Sequence, residues 1–379
     1  MQTITEQTTL IEKIHSTCLK NNIIFASYRR PGEKHIYTMI QKTAEPRKLP
    51  SVLDLSDQKG FVIAPFQPSE ESPVYLIRPD FYFSDDQINN DLFSQLEKIK
   101  NHPSLHKTNG FSGEVSRREY IAEIGEILKL IKKGEFEKAV LSRVNLIDGN
   151  YENKISRMFG MVCEAYPNAF VYVFKVGPVF WLGATPEPLI CSENSHYKTV
   201  SLAATRIFNA ANLDIGNWNK KERQEQEYVT TYIERVLNRL EIDHYEKIGP
   251  YPRKAGNLLH LCTDFEIPVE ELDTRIGELV YNLHPTSSIC GMPKEKALTA
   301  IKRLEKHNRE YYAGFLGTIN MEEKITLYVN LRCMKIYHDY LALYVGGGIT
   351  ADSTPEEEWE ETGIKAETLK SIIAQLNYK

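Results

Sequence analysis

The chain has 379 residues, 42% hydrophobic and 26% charged, enough to bury one large core or two ordinary ones. Its net charge is −5, from 46 basic and 51 acidic residues, and the lack of any basic cluster argues against a nucleic-acid partner. No apolar run is long enough to span a bilayer, and the polar start has no signal-peptide core, so a soluble cytoplasmic protein without a membrane partner is expected.

In chain order, residues 6–21 are helix-patterned, and IIFASYR (23–29) and HIYTMIQ (35–41) form a hairpin across the Pro-Gly turn of RPGEK. Weaker strands follow at 61–66 and 74–79, and the polar stretch 84–115 reads as a linker. The segment 118–136 has apolar residues at helical spacing and stops at Gly134. Strands then come at 138–146, 170–177 with 178–185, and 188–193 with 198–205. Late in the chain, one long strand at 325–337 pairs with 340–347, and helices fall at 219–240, 271–283 and 294–306. Hairpin pairs punctuated by helices predict an α+β fold with an antiparallel sheet. The six cysteines (18, 163, 191, 262, 290 and 333) show no C-x-x-C spacing, which suits reduced thiols and offers no zinc site.

Several polar residues sit where apolar ones are expected. Lys138 shares a strand face with Phe136, Val140, Ser142 and Val144. An edge-strand charge or an ion pair with a nearby carboxylate would also account for it. Glu225 stands at the head of the apolar stripe Tyr228, Val229, Tyr232, Ile233, Val236, Leu237 and Leu240, where it needs a cation, a cap or only the helix dipole. In GGGITADSTPEEEWEETGIK (346–365), Thr354 is an N-cap and Pro355 a first helical residue, and Glu357 completes a capping-box spacing. Glu358, Glu361 and Lys365 share one face of that helix, and the three glycines before it, just after a strand, could cradle an anion. Glu187 is held between prolines in GATPEPL, and Arg332 lies inside the late strand as a carboxylate fork. His260 and His284 are polar residues among apolar neighbours. Taken together, these residues suit a Mg²⁺ enzyme acting on a small dicarboxylate.

The motifs KAVLSR, GATPEPLI, LAATR, KKERQEQEYV, NLLHL, LHPTSSICGMPKEKAL, YYAGFLG, LYVNLRC, GGGI and EEEWEETGIK occur in an order that resembles the chorismate-utilising enzymes. That family includes anthranilate, aminodeoxychorismate, salicylate and isochorismate synthases. The resemblance runs over 116–372 as the catalytic region, and 1–115 corresponds to a variable part of the same domain. It implies a large single-domain α/β sandwich with two antiparallel sheets in the core and helices outside. Lys138 before VLSR, Ala203 where aminodeoxychorismate synthases carry a nucleophilic lysine, and LHPTSS are most similar to the isochorismate synthases. Salicylate synthase, or a catalytically silent chorismate-binding protein, stands as the alternative.

The resemblance implies that Lys138, as its neutral amine, is a general base for water attack at C2 of chorismate. Glu187 would be the acid that protonates the departing C4 hydroxyl. Mg²⁺ would be held by Glu225 and Glu361, with Glu358 close by or acting through water. Arg332, the backbone near Gly346, and Lys365 would hold the pyruvyl carboxylate, Ala204 and Thr205 would line the site, and His260 would sit beside the ring. No organic cofactor is implied, a monomer is expected, and the product would feed menaquinone or siderophore synthesis. The chain departs from the pattern at Ala204, usually glycine, at Ile207–Asn209, usually basic, at Gln226, usually histidine, and at Ser288–Ile289, usually alanine plus leucine or valine.

Overall fold

The computed structural model describes residues 2–101, 113–255, 258–272 and 274–377. Helix α1 (Gln2–Lys20) leads into β1 (Ile24–Arg29), β2 (Tyr37–Gln41), β3 (Arg47–Leu49), β4 (Gly60–Ala64), β5 (Val74–Ile77), β6 (Phe81–Ser84) and α2 (Asn90–Glu97). Next come α3 (Arg117–Lys132), β7 (Lys138–Asp148), α4 (Ile155–Ala165), β8 (Phe170–Val176), β9 (Val179–Thr185), β10 (Pro188–Glu193), β11 (His196–Ile207) and α5 (Lys220–Arg239). The chain continues with β12 (Glu246–Ala255), β13 (Leu258–Pro268), α6 (Val269–Leu272), α7 (Ile276–Leu283), β14 (Gly291–Met292) and α8 (Lys294–Leu304). It ends with β15 (Phe315–Met321), β16 (Lys324–Val329), β17 (Cys333–Ile336), β18 (Tyr340–Ile349) and α9 (Pro355–Asn377).

These strands form two sheets of nine, ordered β14-β7-β18-β17-β9-β8-β1-β2-β6 and β12-β13-β11-β10-β16-β15-β4-β5-β3. Every neighbouring pair is antiparallel. Strand alternation sorts side chains to two layers. Phe170, Tyr172 and Phe174 of β8 join the core between the sheets, where Phe170 stacks on Tyr328 at 4.5 Å and Tyr28 lies 5.6 Å from Phe61. Val171 and Val173 point the other way, into a second core closed by Ile14 of α1, Phe159 of α4 and Ile372 of α9. This double burial explains why β8 reads as an almost unbroken apolar run. The expected sandwich of two antiparallel sheets with helices outside is the observed fold. Strands from residues 24–84 occupy one end of each sheet.

Four expectations need correction. The stretch 84–115 is not wholly a linker: it contains α2, whose N-cap Asn89 accepts the Leu92 amide, and its residues 102–112 lie outside the described ones. The helix expected over 271–283 is divided into α6 and α7. The strand expected over 325–337 is two strands in different sheets, β16 and β17, because the backbone turns at Arg332, which has φ 48°. The three glycines do not follow a strand but lie within β18, paired with Ser142, Leu141 and Val140 of β7.

Candidate active site

One cavity of about 380 Å³ is lined by Lys138, Glu187, Ala204, Thr205, Glu225, His260, Arg332, Gly346, Glu358, Glu361 and Lys365. All eleven residues proposed from the sequence therefore meet at one place, although they come from eight separate segments of the chain. The ends of β7, β9, β11, β13 and β18 and the β16–β17 connection supply one part, and the first two turns of α5 and α9 supply Glu225, Glu358 and Glu361.

Lys138 is 7% exposed, and its Nζ donates to Glu225 Oε1 at 3.1 Å. The apolar row read from the sequence thus meets a carboxylate, the ion-pair alternative left open there. Burial opposes the Glu225 charge, but Lys138 and the Ala204 amide outweigh it and leave the carboxyl below its ordinary range. Space for Lys138 comes from Gly348, where a Cβ would lie 2.9 Å from Lys138 Cε. Gly347 does the same for Glu358: a Cβ there would lie 2.9 Å from Glu358 Oε2. The triple glycine therefore makes room for two side chains of the cavity, and its backbone groups stay in the β7–β18 ladder.

Glu187 accepts from Ser288 Oγ at 2.6 Å. Burial raises its pKa above the ordinary carboxyl value, against the pull of Ser288, Lys138, Lys365 and Arg332. Arg332 donates to the Lys365 carbonyl at 3.4 Å and to Thr368 Oγ1 at 3.2 Å. Burial lowers its pKa. Lys365 Nζ donates to the Gly346 carbonyl at 3.0 Å and pairs with Glu361 Oε1 at 2.5 Å.

His260 Nδ1 lies 3.2 Å from the Ala204 carbonyl and 3.0 Å from Thr205 Oγ1. Burial lowers its pKa to about 4, so the ring is neutral at neutral pH. Ala204 has φ 53° and sits on a bulge of β11, where the register with β13 shifts between Ala203 and Thr205. An alanine in this left-handed region costs about 1–2 kcal/mol. The glycine of the family pattern would avoid that strain.

The three glutamates proposed as metal ligands line the cavity but do not converge on a point. Among the described residues, the one set of three His, Cys, Asp or Glu ligand atoms within 4.8 Å is His35, Asp85 and Asp86, which do not line this cavity. Each glutamate instead has its own partner: Glu225 has Lys138, Glu361 has Lys365, and Glu358 Oε1 accepts from Ser353 Oγ at 2.6 Å. Glu358 Oε2 is buried without a partner, and burial, with Glu361 and Glu225 nearby, raises that carboxyl to about 6. An orphaned carboxylate oxygen among like charges fits a hard divalent cation.

The sequence reading did not assign Ser288, Ser353 or Tyr312 to the site, yet they line the same cavity. Ser288 had a signal, as a departure from the family pattern. Ser353 and Tyr312 had none, since a serine before a helix and a tyrosine in YYAGFLG read equally well as cap and core. Gln226 points away from the cavity: it is 1% exposed and donates to the Ser201 carbonyl, Ser201 Oγ and Thr263 Oγ1. It anchors α5 on its sheet.

A neutral imidazole, a carboxyl with raised proton affinity, a buried lysine and two further cations can perform acid–base chemistry on a small anionic substrate. The chain belongs to the chorismate binding enzyme family, whose model matches residues 7–374. Isochorismate synthase EntC of Escherichia coli is 28% identical over 328 residues, 82% of this chain and 79% of that protein. The vibriobactin-specific isochorismate synthase of Vibrio cholerae is 26% identical over 318 residues, 82% of this chain and 78% of that protein. Anthranilate synthase component 1 of Bacillus pumilus is 25% identical over 264 residues, 68% of this chain and 51% of that protein. The structure of MenF, the menaquinone-specific isochorismate synthase of E. coli, superposes with TM-score 0.74 at 21% identity, covering 92% of this chain and 88% of that one. Among the described residues, no helix is long and apolar enough to cross a membrane.

Proposed function

We propose that the enzyme is an isochorismate synthase, acting as a cytoplasmic monomer on free chorismate, with Mg²⁺ as its metal. In this reading 116–372 carries the catalytic region, and 1–115 is the variable part of the same domain. The observation that supports it best is the pairing, in one cavity, of the buried Lys138 with the Glu187 carboxyl, whose proton affinity is raised.

Chorismate carries a hydroxyl at C4 and isochorismate carries it at C2. Lys138, as its neutral amine, takes a proton from water as the water oxygen bonds to C2, the ring double bonds shift, and the C4–O bond breaks. Glu187 gives its proton to the departing oxygen, which leaves as water, so the formula of substrate and product is the same. Arg332 and Lys365 hold the pyruvyl carboxylate, with the Gly346 backbone steering the Lys365 ammonium. His260 presents a neutral ring edge, and Ala204 and Thr205 shape the wall beside it.

Glu225 and Glu361 would hold Mg²⁺, with Glu358 beside them. When bound, the ion would neutralise the ring carboxylate and polarise the ring. The carboxylate that would bind the ion is the one that pairs with Lys138 here, so the cation and the ammonium compete for Glu225.

The test is to incubate the purified enzyme with chorismate and Mg²⁺, with and without EDTA, and to separate the products. Metal-dependent isochorismate without pyruvate is expected. Salicylate with stoichiometric pyruvate would make the enzyme a salicylate synthase, and absence of turnover with intact chorismate binding would make it a silent binder.

A further inference from the structure

Ser288 lies between α7 and β14, on the same cavity as Glu187 but 101 residues away in sequence. Its hydroxyl donates to Glu187 Oε1 at 2.6 Å, and its oxygen lies 2.7 Å from Thr286 Oγ1. A hydroxyl has one proton to give. With that proton on Glu187, Thr286 must be the donor to Ser288, which sets a one-way chain from Thr286 through Ser288 to Glu187. Each bond in such a chain polarises the next. Among the described residues no other side chain bonds the Glu187 carboxylate, so the second oxygen is left for the cavity.

The charged groups facing Glu187 are Lys138 of β7, Lys365 of α9 and Arg332 between β16 and β17. All three are cationic and favour its anion, as the Ser288 bond does. Burial acts the other way and prevails. Ser288 is the one of these groups that touches a single defined carboxylate oxygen without carrying charge, so it can orient the acid without adding to the field on the substrate.

We propose that Ser288 is a positioning residue that pins Glu187 Oε1, leaves Oε2 as the oxygen carrying the proton, and steadies the carboxylate once that proton is given up. The inference rests on the reading of Glu187 as the general acid. In the reaction, the Oε2 proton passes to the departing C4 oxygen and solvent later restores it. Ser288 then donates to a full carboxylate, a stronger bond than it makes to the neutral acid.

The experiment follows the Glu187 titration itself, by ¹³C NMR of enzyme labelled at glutamate Cδ, without substrate and with Glu187→Gln used for assignment. Ser288→Ala should move this titration upward by about half to one pH unit. Ser288→Thr should restore it, and Thr286→Val should move it the same way by less. An unmoved titration in Ser288→Ala overturns the proposal. Should that variant fail to fold, an unmoved titration in Thr286→Val does so. The pH profile of kcat with chorismate is read separately. A basic limb that rises with the titration supports both Ser288 as positioner and Glu187 as acid. A shifted titration with a fixed limb upholds the Ser288–Glu187 coupling but overturns the acid role on which its catalytic meaning rests.

Discussion

Gly348 and Lys138 lie diagonally across the ladder between β18 and β7, where Gly348 pairs with Val140, and a Cβ on Gly348 would lie 2.9 Å from Lys138 Cε. The glycine keeps open the volume that the lysine fills. Because the clash falls on a flexible side chain rather than on backbone, substitution should displace Lys138 without unfolding the sheet. Gly348→Ala is expected to lower kcat roughly 10–100-fold, reaching the low end of what a positioned general base contributes. The thermal midpoint should change little. Wild-type kcat in this variant would show that Lys138 has room to spare or no catalytic part.

Gly347 offers a control one residue away. A Cβ there meets Glu358 Oε2 at 2.9 Å. Gly347→Ala should therefore weaken divalent-cation binding about 10-fold, whereas Gly348→Ala, which displaces the ammonium that competes for Glu225, should not weaken it. Mn²⁺ titration followed by electron paramagnetic resonance, without substrate, reads this directly. Equal affinities in both variants would remove Glu358 from the metal site.

Arg332 is half-buried, and its guanidinium donates to a carbonyl and a hydroxyl but forms no salt bridge among the described residues. Arg332→Gln should raise the KM for chorismate by about 30-fold or more, the scale of losing a partner from a hydrogen-bonded charge pair. The kcat should fall less. A KM within twofold of wild type would move the carboxylate contact elsewhere.

Outside the site, Glu123 of α3 is 7% exposed and neither carboxylate oxygen has a partner. Burial, then the nearby Glu305, raises its pKa from 4.5 to about 7. The folded state thus holds this proton more tightly than the unfolded chain. Its contribution to stability is full below about pH 4.5 and is lost as pH rises to about 7. Glu123→Gln, which stays neutral, should leave stability nearly unchanged at pH 4 and add roughly 1–3 kcal/mol at pH 8. Urea unfolding at the two pH values checks this, and equal gains at both would rule out the titration as cause.

The candidate site residues were largely legible because they interrupt strong patterns. Lys138 breaks an apolar strand row, Glu225 heads an apolar helix stripe, and Glu187 sits between two prolines that leave a sheet. The fold class was legible because hairpin-forming apolar runs alternate with helices. Local pattern also carried the first helical turn of α9, where Thr354 and Glu357 bond through their side chains at 2.7 Å.

Only the tertiary structure decided which partner each charge meets. Lys138 and Glu225 are 87 residues apart in sequence, and Ser288 and Glu187 are 101 apart, so no local spacing could join them. Nor could it divide the run 325–337: period-two alternation continues through Arg332, while the positive φ there sends β16 and β17 to different sheets. The sequence by itself determined which side chains cannot be explained by the core, since desolvation makes a buried charge conspicuous in an apolar pattern. The structure determined what satisfies each one, because those partners are chosen by packing between segments that share no sequence period.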